Sequence, residues 1–451
     1  MKRKIDMLGG SAIKNIILFA LPIMFSSLLQ YNYALVDNII VGRYVSTDAL
    51  AAVGNVGSIN SFIIGAALGL TSGFTIPVAH AFGAGDSKKV ARYSGSSIVV
   101  AFSIGVFIVI VAHIISTPLL RLIGTPNEII KLSAAYVNIL YFGVPFQMLS
   151  NNFTAISRAV GESKKPLYFF MISVFINFLL DLLFVKRFSW GVEGAAAATL
   201  ISHIIAASLT GFYIIKLNPD VKISKGDLKP DLKIGWEQVK LGIPVSLQFT
   251  ITSVGTMCLQ SAVNSFGANV IAGFTAAGRV ENLTNLPMSA LGVATQTFVG
   301  QNYGAKNYQR ITKSVSKIFL LDLCISVIMS LTLYLIGMPM VSIFMKEQNP
   351  EIMHAAQRYL LATVECYSLV AILFVLRNTL QGLGFTYANM IAGAGEFIGR
   401  ISIAFIFSRI IGFTAVCYAA PAAWLFADIP LIIIYLIKRK ELLKQQKLTD
   451  N

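Results

Sequence analysis

Four polar residues are conspicuous for where they fall: Asp37, Asn177, Asp181 and Thr199 all lie inside long apolar runs. Asn177 and Asp181 are four residues apart and so share one helical face. Two carboxylates, an amide oxygen and a hydroxyl make a hard-oxygen set suited to Na⁺, and equally a carboxylate pair sharing one proton. The competing account is that each acid is hydrated near an interface or simply accepts a hydrogen bond. Other polar residues in apolar surroundings, namely Glu365, Arg279, Glu281, Gln248, Gln260 and Asn264, are candidates for contact with a substrate or a proton. Arg279 and Glu281 are too close in sequence to share a face. Glu396 and Arg400, spaced i,i+4, neutralise each other. Asp322 reads as a solvated residue near a cytoplasmic end, and Asp428 has no assigned role. His80, His113, His203 and His354 show no ligand spacing. No GxxxxGK[ST], GxSxG or HExxH occurs, which argues against ATP-driven work and against a membrane enzyme such as a lipid transferase.

The elements that must carry these residues are membrane helices. Of 451 residues, 55% are apolar or aromatic and 13% are charged, with a mean hydropathy of +0.71. Water could not disperse that much apolar surface; lipid can. The runs are continuous, as in Ser97–Ile115, without the period-two alternation of a membrane β-barrel. They give an all-α polytopic protein of twelve spans, near 14–40, 50–77, 92–115, 133–156, 166–185, 192–215, 239–264, 270–297, 314–337, 355–380, 387–409 and 414–437. The basic residues of the N-terminus and of the 216–240 loop fall in one set of alternate connections. Lys88/Lys89/Arg92, Arg158/Lys164/Lys165, Lys306/Arg310/Lys313/Lys317, Arg377 and the tail belong to the same set. The other set has fewer, including Arg43, Lys186/Arg187 and Lys346, which places both termini in the cytoplasm. Asp37, Asn177, Asp181 and Thr199 then sit roughly 7–13 Å below the outer surface. The net charge of +15 is spread over loops and ends, so it reports orientation and not a nucleic-acid face. Cys258, Cys324, Cys366 and Cys417 lie in apolar segments as packing residues. The apolar stretch after the basic N-terminus is too long for a cleaved leader and reads as the first span.

The chain also repeats itself. Leu21-Pro22 returns as Ile243-Pro244, Phe82-Gly83-Ala84 as Tyr303-Gly304-Ala305, and Gly161 as Gly384, at offsets of 221 to 223. Six spans per half is an even number, so the halves are parallel repeats of the kind that rock about a central substrate site. The domains expected are an N-lobe (1–215), a flexible cytoplasmic linker (216–238) and a C-lobe with a basic tail (239–451). The duplication does not copy the acids. Position 37 maps to Leu259 and position 181 to Ala404, which confines the cation set to the first half.

Leu21-Pro22 with Asp37–Gly42 (DNIIVG), Thr297–Ala305 (TFVGQNYGA) after Gly278–Leu283, and Arg158-Ala-Val-Gly161 with Pro166 together resemble the multidrug and toxic compound extrusion (MATE) family. The similarity covers essentially the whole chain. Within that family the sequence looks closest to the DinF-like bacterial and archaeal branch. The resemblance implies a multi-pass inner-membrane transporter, not an enzyme, and a monomer. It would export small amphipathic or cationic molecules by antiport, with no cofactor beyond a coupling Na⁺ or H⁺. It assigns Asp37, Asn177, Asp181 and Thr199 to the N-lobe cation site, with the first span moving on binding. The NorM-like branch carries an acidic residue in span seven; here Gln248, Gln260 and Asn264 stand there instead. A lipid-linked oligosaccharide flippase of the same superfamily is the nearest alternative.

Overall fold

The computed structural model describes residues 5–122, 125–345 and 349–450, without the side chains at 34, 35, 58, 59, 119, 122, 449 and 450. Lys2, Arg3, Lys4 and Lys346, which entered the charge count, lie outside the described residues. The apolar runs form α1 (Ala12–Tyr44), α2 (Thr47–Phe74), α3 (Ile76–Gly83), α4 (Ser87–Leu122), α5 (Asn127–Tyr141), α6 (Val144–Ala159), α7 (Lys164–Asp181) and α8 (Gly191–Phe212). After the linker come α9 (Leu232–Asn264), α10 (Ala268–Gly304), α11 (Tyr308–Ile343), α12 (Pro350–Cys366), α13 (Ser368–Gly382) and α14 (Tyr387–Ile401). Short α15 (Ser408–Ile411) and α16 (Phe413–Cys417) then lead to α17 (Ala419–Asp450). Side chains close the first turns where the chain enters a helix: Ser46 accepts from the Ala49 amide and Asn349 from the Glu351 amide.

Among the described residues, nine helices are long and apolar enough to cross a bilayer, and two pairs, α5/α6 bent by 46° and α12/α13 bent by 58°, add one crossing each. The twelfth is α10, whose 37 residues are ample in length but include Arg279, Glu281, Asn282 and Asn285. The fold is therefore all-helical with twelve passes.

The chain divides into two compact units. One holds Phe25–Ile243, the other Asp6–Met24 together with the chain from Pro244 onward. Both use one packing plan. In the first, α2 packs on α5 and α6, α4 on α6, α7 on α8, and α6 on α8; in the second, α10 packs on α12 and α13, α11 on α13, α14 on α17, and α13 on α17. The backbone carries the same stamp. Gly161 (φ 85°) and Gly384 (φ 87°) both end a helix in the left-handed region that glycine enters freely. A π-helical segment lies within the fifth pass at Leu182–Arg187 and within the eleventh at Ser402–Phe407.

The division falls inside α1 and α9, so the first turns of the first pass belong with the second unit and those of the seventh with the first. Met7, Ile16 and Phe19 are fully buried, and Asn302 and Arg310 of the second unit hydrogen-bond the Met7 and Gly9 carbonyls. In the first unit, Gln238 of α9 donates to the carbonyls of Phe74 and Tyr93.

The expectation of a flexible linker is corrected. Arg92 on α4 donates to the carbonyls of Gly226 and Lys229 and pairs with Asp231 at 3.0 Å. Ser224 closes a turn on Asp227, whose carbonyl lies so near Gly95 that a side chain there would collide with it. The Ile234 amide, and after it the Arg92 guanidinium, hold the Asp231 carboxyl below the usual carboxylate range. Pro230, the local turns and Arg92 together replace chain freedom with a docked segment.

Candidate functional site

In the first unit, α1, α7 and α8 bring Asp37, Asn177, Asp181 and Thr199 to one place. All four are buried, from 7% exposed at Asp37 to 0% at Asp181. Thr199 Oγ1 donates to Asp37 Oδ2 at 3.4 Å. The two carboxyl groups are close enough to share one hydrogen bond. The Asn177 amide lies between them: one terminal atom is 3.0 Å from Asp37 Oδ1 and 3.2 Å from Asp181 Oδ2, and the other is 3.1 Å from the Tyr33 hydroxyl. With only carboxylates beside it, that amide must turn its nitrogen toward them, donating twice while its oxygen accepts from Tyr33. Turned over, the same amide offers oxygen to a cation, and Tyr33 can accept from the nitrogen instead. Asp181 Oδ1 is buried without a protein partner among the described residues. Two acidic groups in such a setting repel unless a proton or a cation lies with them. Carboxylate, amide and hydroxyl oxygens fit a small monovalent cation. No group of three or more His, Cys, Asp or Glu side chains that could hold a metal ion occurs among the described residues.

Two residues escaped sequence reasoning. Tyr33 is four residues before Asp37 on the same helical face, a spacing that could have revealed it. Tyr136 of α5 is buried within electrostatic reach of both carboxylates, and its sequence neighbours give no sign of that. Beside the site, an apolar recess of about 280 Å³ is lined by Leu29, Val36, Met171 and Phe175 and is bordered by Tyr33 and Asn177.

The residues of the second tier do not gather into one site. Glu281 is buried in the second unit, hydrogen-bonded by Tyr359 and Asn285, while Arg279 lies over the Phe344 ring. Glu365 is exposed and accepts from Tyr418 at 2.6 Å. Gln260 donates to Asn264 on the surface of α9, and Gln248 is buried against Gly393.

Two expectations are corrected. Asp322 is fully buried, with neither carboxylate oxygen partnered among the described residues; it faces inward across α11 instead of toward solvent. Arg377, counted among the cytoplasmic charges, lies within α13 and joins Arg400 on Glu396, so Glu396 is shared by two arginines.

The signature of the MatE family matches residues 22–183 and again 244–406, an offset equal to that of the repeated prolines. The chain belongs to the MATE family. Among its relatives, the probable multidrug resistance protein YoeA of Bacillus subtilis is 29% identical over 81% of this chain and 80% of its own. The probable multidrug resistance protein YpnP of the same organism is 27% identical over 97% and 98%. A MATE protein crystallised in the bent conformation matches with a TM-score of 0.89 at 23% identity, covering 99% of this chain and 98% of the other. An outward-facing MATE transporter of the MOP superfamily matches at 0.90 and 23% identity, covering 98% and 99%. Membership of this family makes the chain a membrane transporter and not an enzyme, and the solved structures share its fold.

Proposed function

We propose that this MATE-family protein exports amphipathic or cationic small molecules, driven by inward movement of Na⁺ or H⁺ through the first unit. The observation that carries the reading is the pair Asp37 and Asp181, buried side by side and bridged by Asn177. Ionised, the pair attracts either the coupling cation or the charged end of an amphipath, and occupancy by one disfavours the other. The recess walled by Met171 and Phe175 supplies apolar surface next to that charge, the combination an amphipathic cation needs. The names of YoeA and YpnP, given to multidrug resistance proteins, support the substrate class. The charge bias of the connections supports cytoplasmic termini in a bacterial or archaeal inner membrane, and the Asn177/Asp181 spacing supports the DinF-like branch.

The test is transport in proteoliposomes under an imposed Na⁺ or pH gradient, followed with a fluorescent organic cation. Asp37→Asn and Asp181→Asn should each lower gradient-driven flux at least tenfold. Parental flux from both variants under each gradient would sink the coupling site.

A further inference from the structure

The second unit holds a charged cluster on the passes that correspond to those of the cation site. Thr252 of α9, Arg377 of α13, Glu396 and Arg400 of α14, and Asp428 of α17 occupy passes seven, ten, eleven and twelve, where the first unit uses one, four, five and six. The repeat maps Asp37 to 259, Asp181 to 404 and Thr199 to 422. Thr252 lies seven residues before its mapped position, Glu396 eight before, and Asp428 six after. Because α9 and α14 run opposite to α17, all three shifts point the same way along the bundle, by about two turns or roughly 10 Å. The cluster is thus a separate construction and not a decayed copy.

Close helix contact builds it. Gly395 and Gly399, spaced i,i+4, bring the backbones of α14 and α17 together: a Cβ on Gly395 would meet the Phe426 carbonyl oxygen at 2.4 Å, and one on Gly399 the Ala422 carbonyl oxygen at 2.9 Å. Glu396 receives Arg377 on Oε1, and Arg400 at 3.3 Å and Thr252 at 3.0 Å on Oε2. Asp428 is 2% exposed and within electrostatic reach of Arg377 and Glu396, yet both of its oxygens lack a protein partner among the described residues. Arg377 Nε is likewise buried and unpartnered. Of the other elements packed on α17, α12 carries Arg358, which faces Cys417, and Glu365, which is taken by Tyr418. On α11, Asp322 has no charged partner among the described residues.

A buried carboxylate without donors is costly, whereas a neutral carboxylic acid or one paired with a guanidinium is tolerated. We propose that Asp428 is a proton-binding site of the second unit, read out by Arg377. With a proton on Asp428, the guanidinium stays on Glu396. When that proton leaves, the new carboxylate competes for Arg377 and draws α13 toward α17. This goes beyond the coupling site in the first unit and stands or falls independently of it.

Trp424, one turn before Asp428 and edge-on to Tyr367 at 6.2 Å, is a built-in reporter. In purified full-length protein carrying Trp190→Phe and Trp236→Phe, Trp424 is the sole tryptophan, and its emission can be followed from pH 5 to 9. The expected result is one reversible titration, retained in Asp37→Asn and Asp322→Asn and lost in Asp428→Asn. A flat parental profile, or a titration that survives Asp428→Asn, overturns the proposal. If Asp428→Asn does not fold, Arg377→Gln decides: it should abolish or move the midpoint, and an unchanged midpoint counts equally against the site.

Discussion

At the residue scale, the first unit's site depends on an amide that can face either way. Tyr33 matters because its hydroxyl can donate to the Asn177 oxygen or accept from its nitrogen, and so supports the amide with and without a cation. Tyr33→Phe keeps the ring and removes that partner, a loss of about 1 kcal/mol for one buried hydrogen bond. The expected outcome is about a fivefold weaker apparent affinity for the driving cation, with maximal flux nearly unchanged, read from flux against ion concentration in proteoliposomes. An unchanged affinity would mean that the amide does not turn. Asp37 and Asp181 were legible in the sequence because a charge inside an apolar run is expensive and rare. Tyr33 was legible only through its spacing from Asp37, since a tyrosine in such a run costs little and looks like packing. Arg377 misled for the opposite reason: its position near a pass end resembled a loop charge, and only the partner on α14 shows that it turns inward.

At the scale of elements, pass number, order and repeat were legible, because continuous apolar runs and offset motifs need only one dimension. The bend within the tenth pass was not, nor the π-helical turns, because no proline or glycine marks residues 366–368, Leu182–Arg187 or Ser402–Phe407. The bend of the fourth pass carries Gly143 and Pro145, a signal that a continuous apolar run concealed. The docked linker was missed because its Lys, Asp and Pro content is that of a mobile segment, while its order comes from Arg92 far away in sequence. Helix contact is decided by glycines whose role is visible only in three dimensions. Gly395 touches the α17 backbone, whereas Gly54 of α2 has nothing within 4 Å of an added Cβ. Gly395→Ala should therefore force α14 and α17 apart at a cost of about 1–3 kcal/mol. Thermal unfolding in detergent should show a clear fall in midpoint for Gly395→Ala and none for Gly54→Ala. Equal midpoints would remove the close contact on which the Asp428 cluster is built.

At the scale of the molecule, the two repeats are not two independent halves of the chain. The first turns of α1, with Met7, Ile16 and Phe19 buried and Asn302 on the Met7 carbonyl, belong to the unit that the second half builds. The first turns of α9 belong to the unit built by the first half. There Gly242 lies so close to Gly73 that their backbones touch, and Gln238 caps the Phe74 carbonyl. The exchange points fall at Met24/Phe25 and Ile243/Pro244, beside the repeated prolines Pro22 and Pro244. A chain cut in the linker into 1–217 and 218–451 therefore leaves each piece with an entry segment whose packing partners lie on the other. Expressed alone, each should be poorly folded, with Met7, Ile16 and Phe19 exposed in one and Gln238 unpartnered in the other. Expressed together, they should recover one monodisperse species of the full mass, because the cut removes only chain connectivity in a segment held by Arg92. Size-exclusion profiles of fluorescently tagged halves measure this directly. A sharp, thermally stable peak from 1–217 alone would show that the entry segment does not need the second unit, and that the repeats fold as separate halves after all.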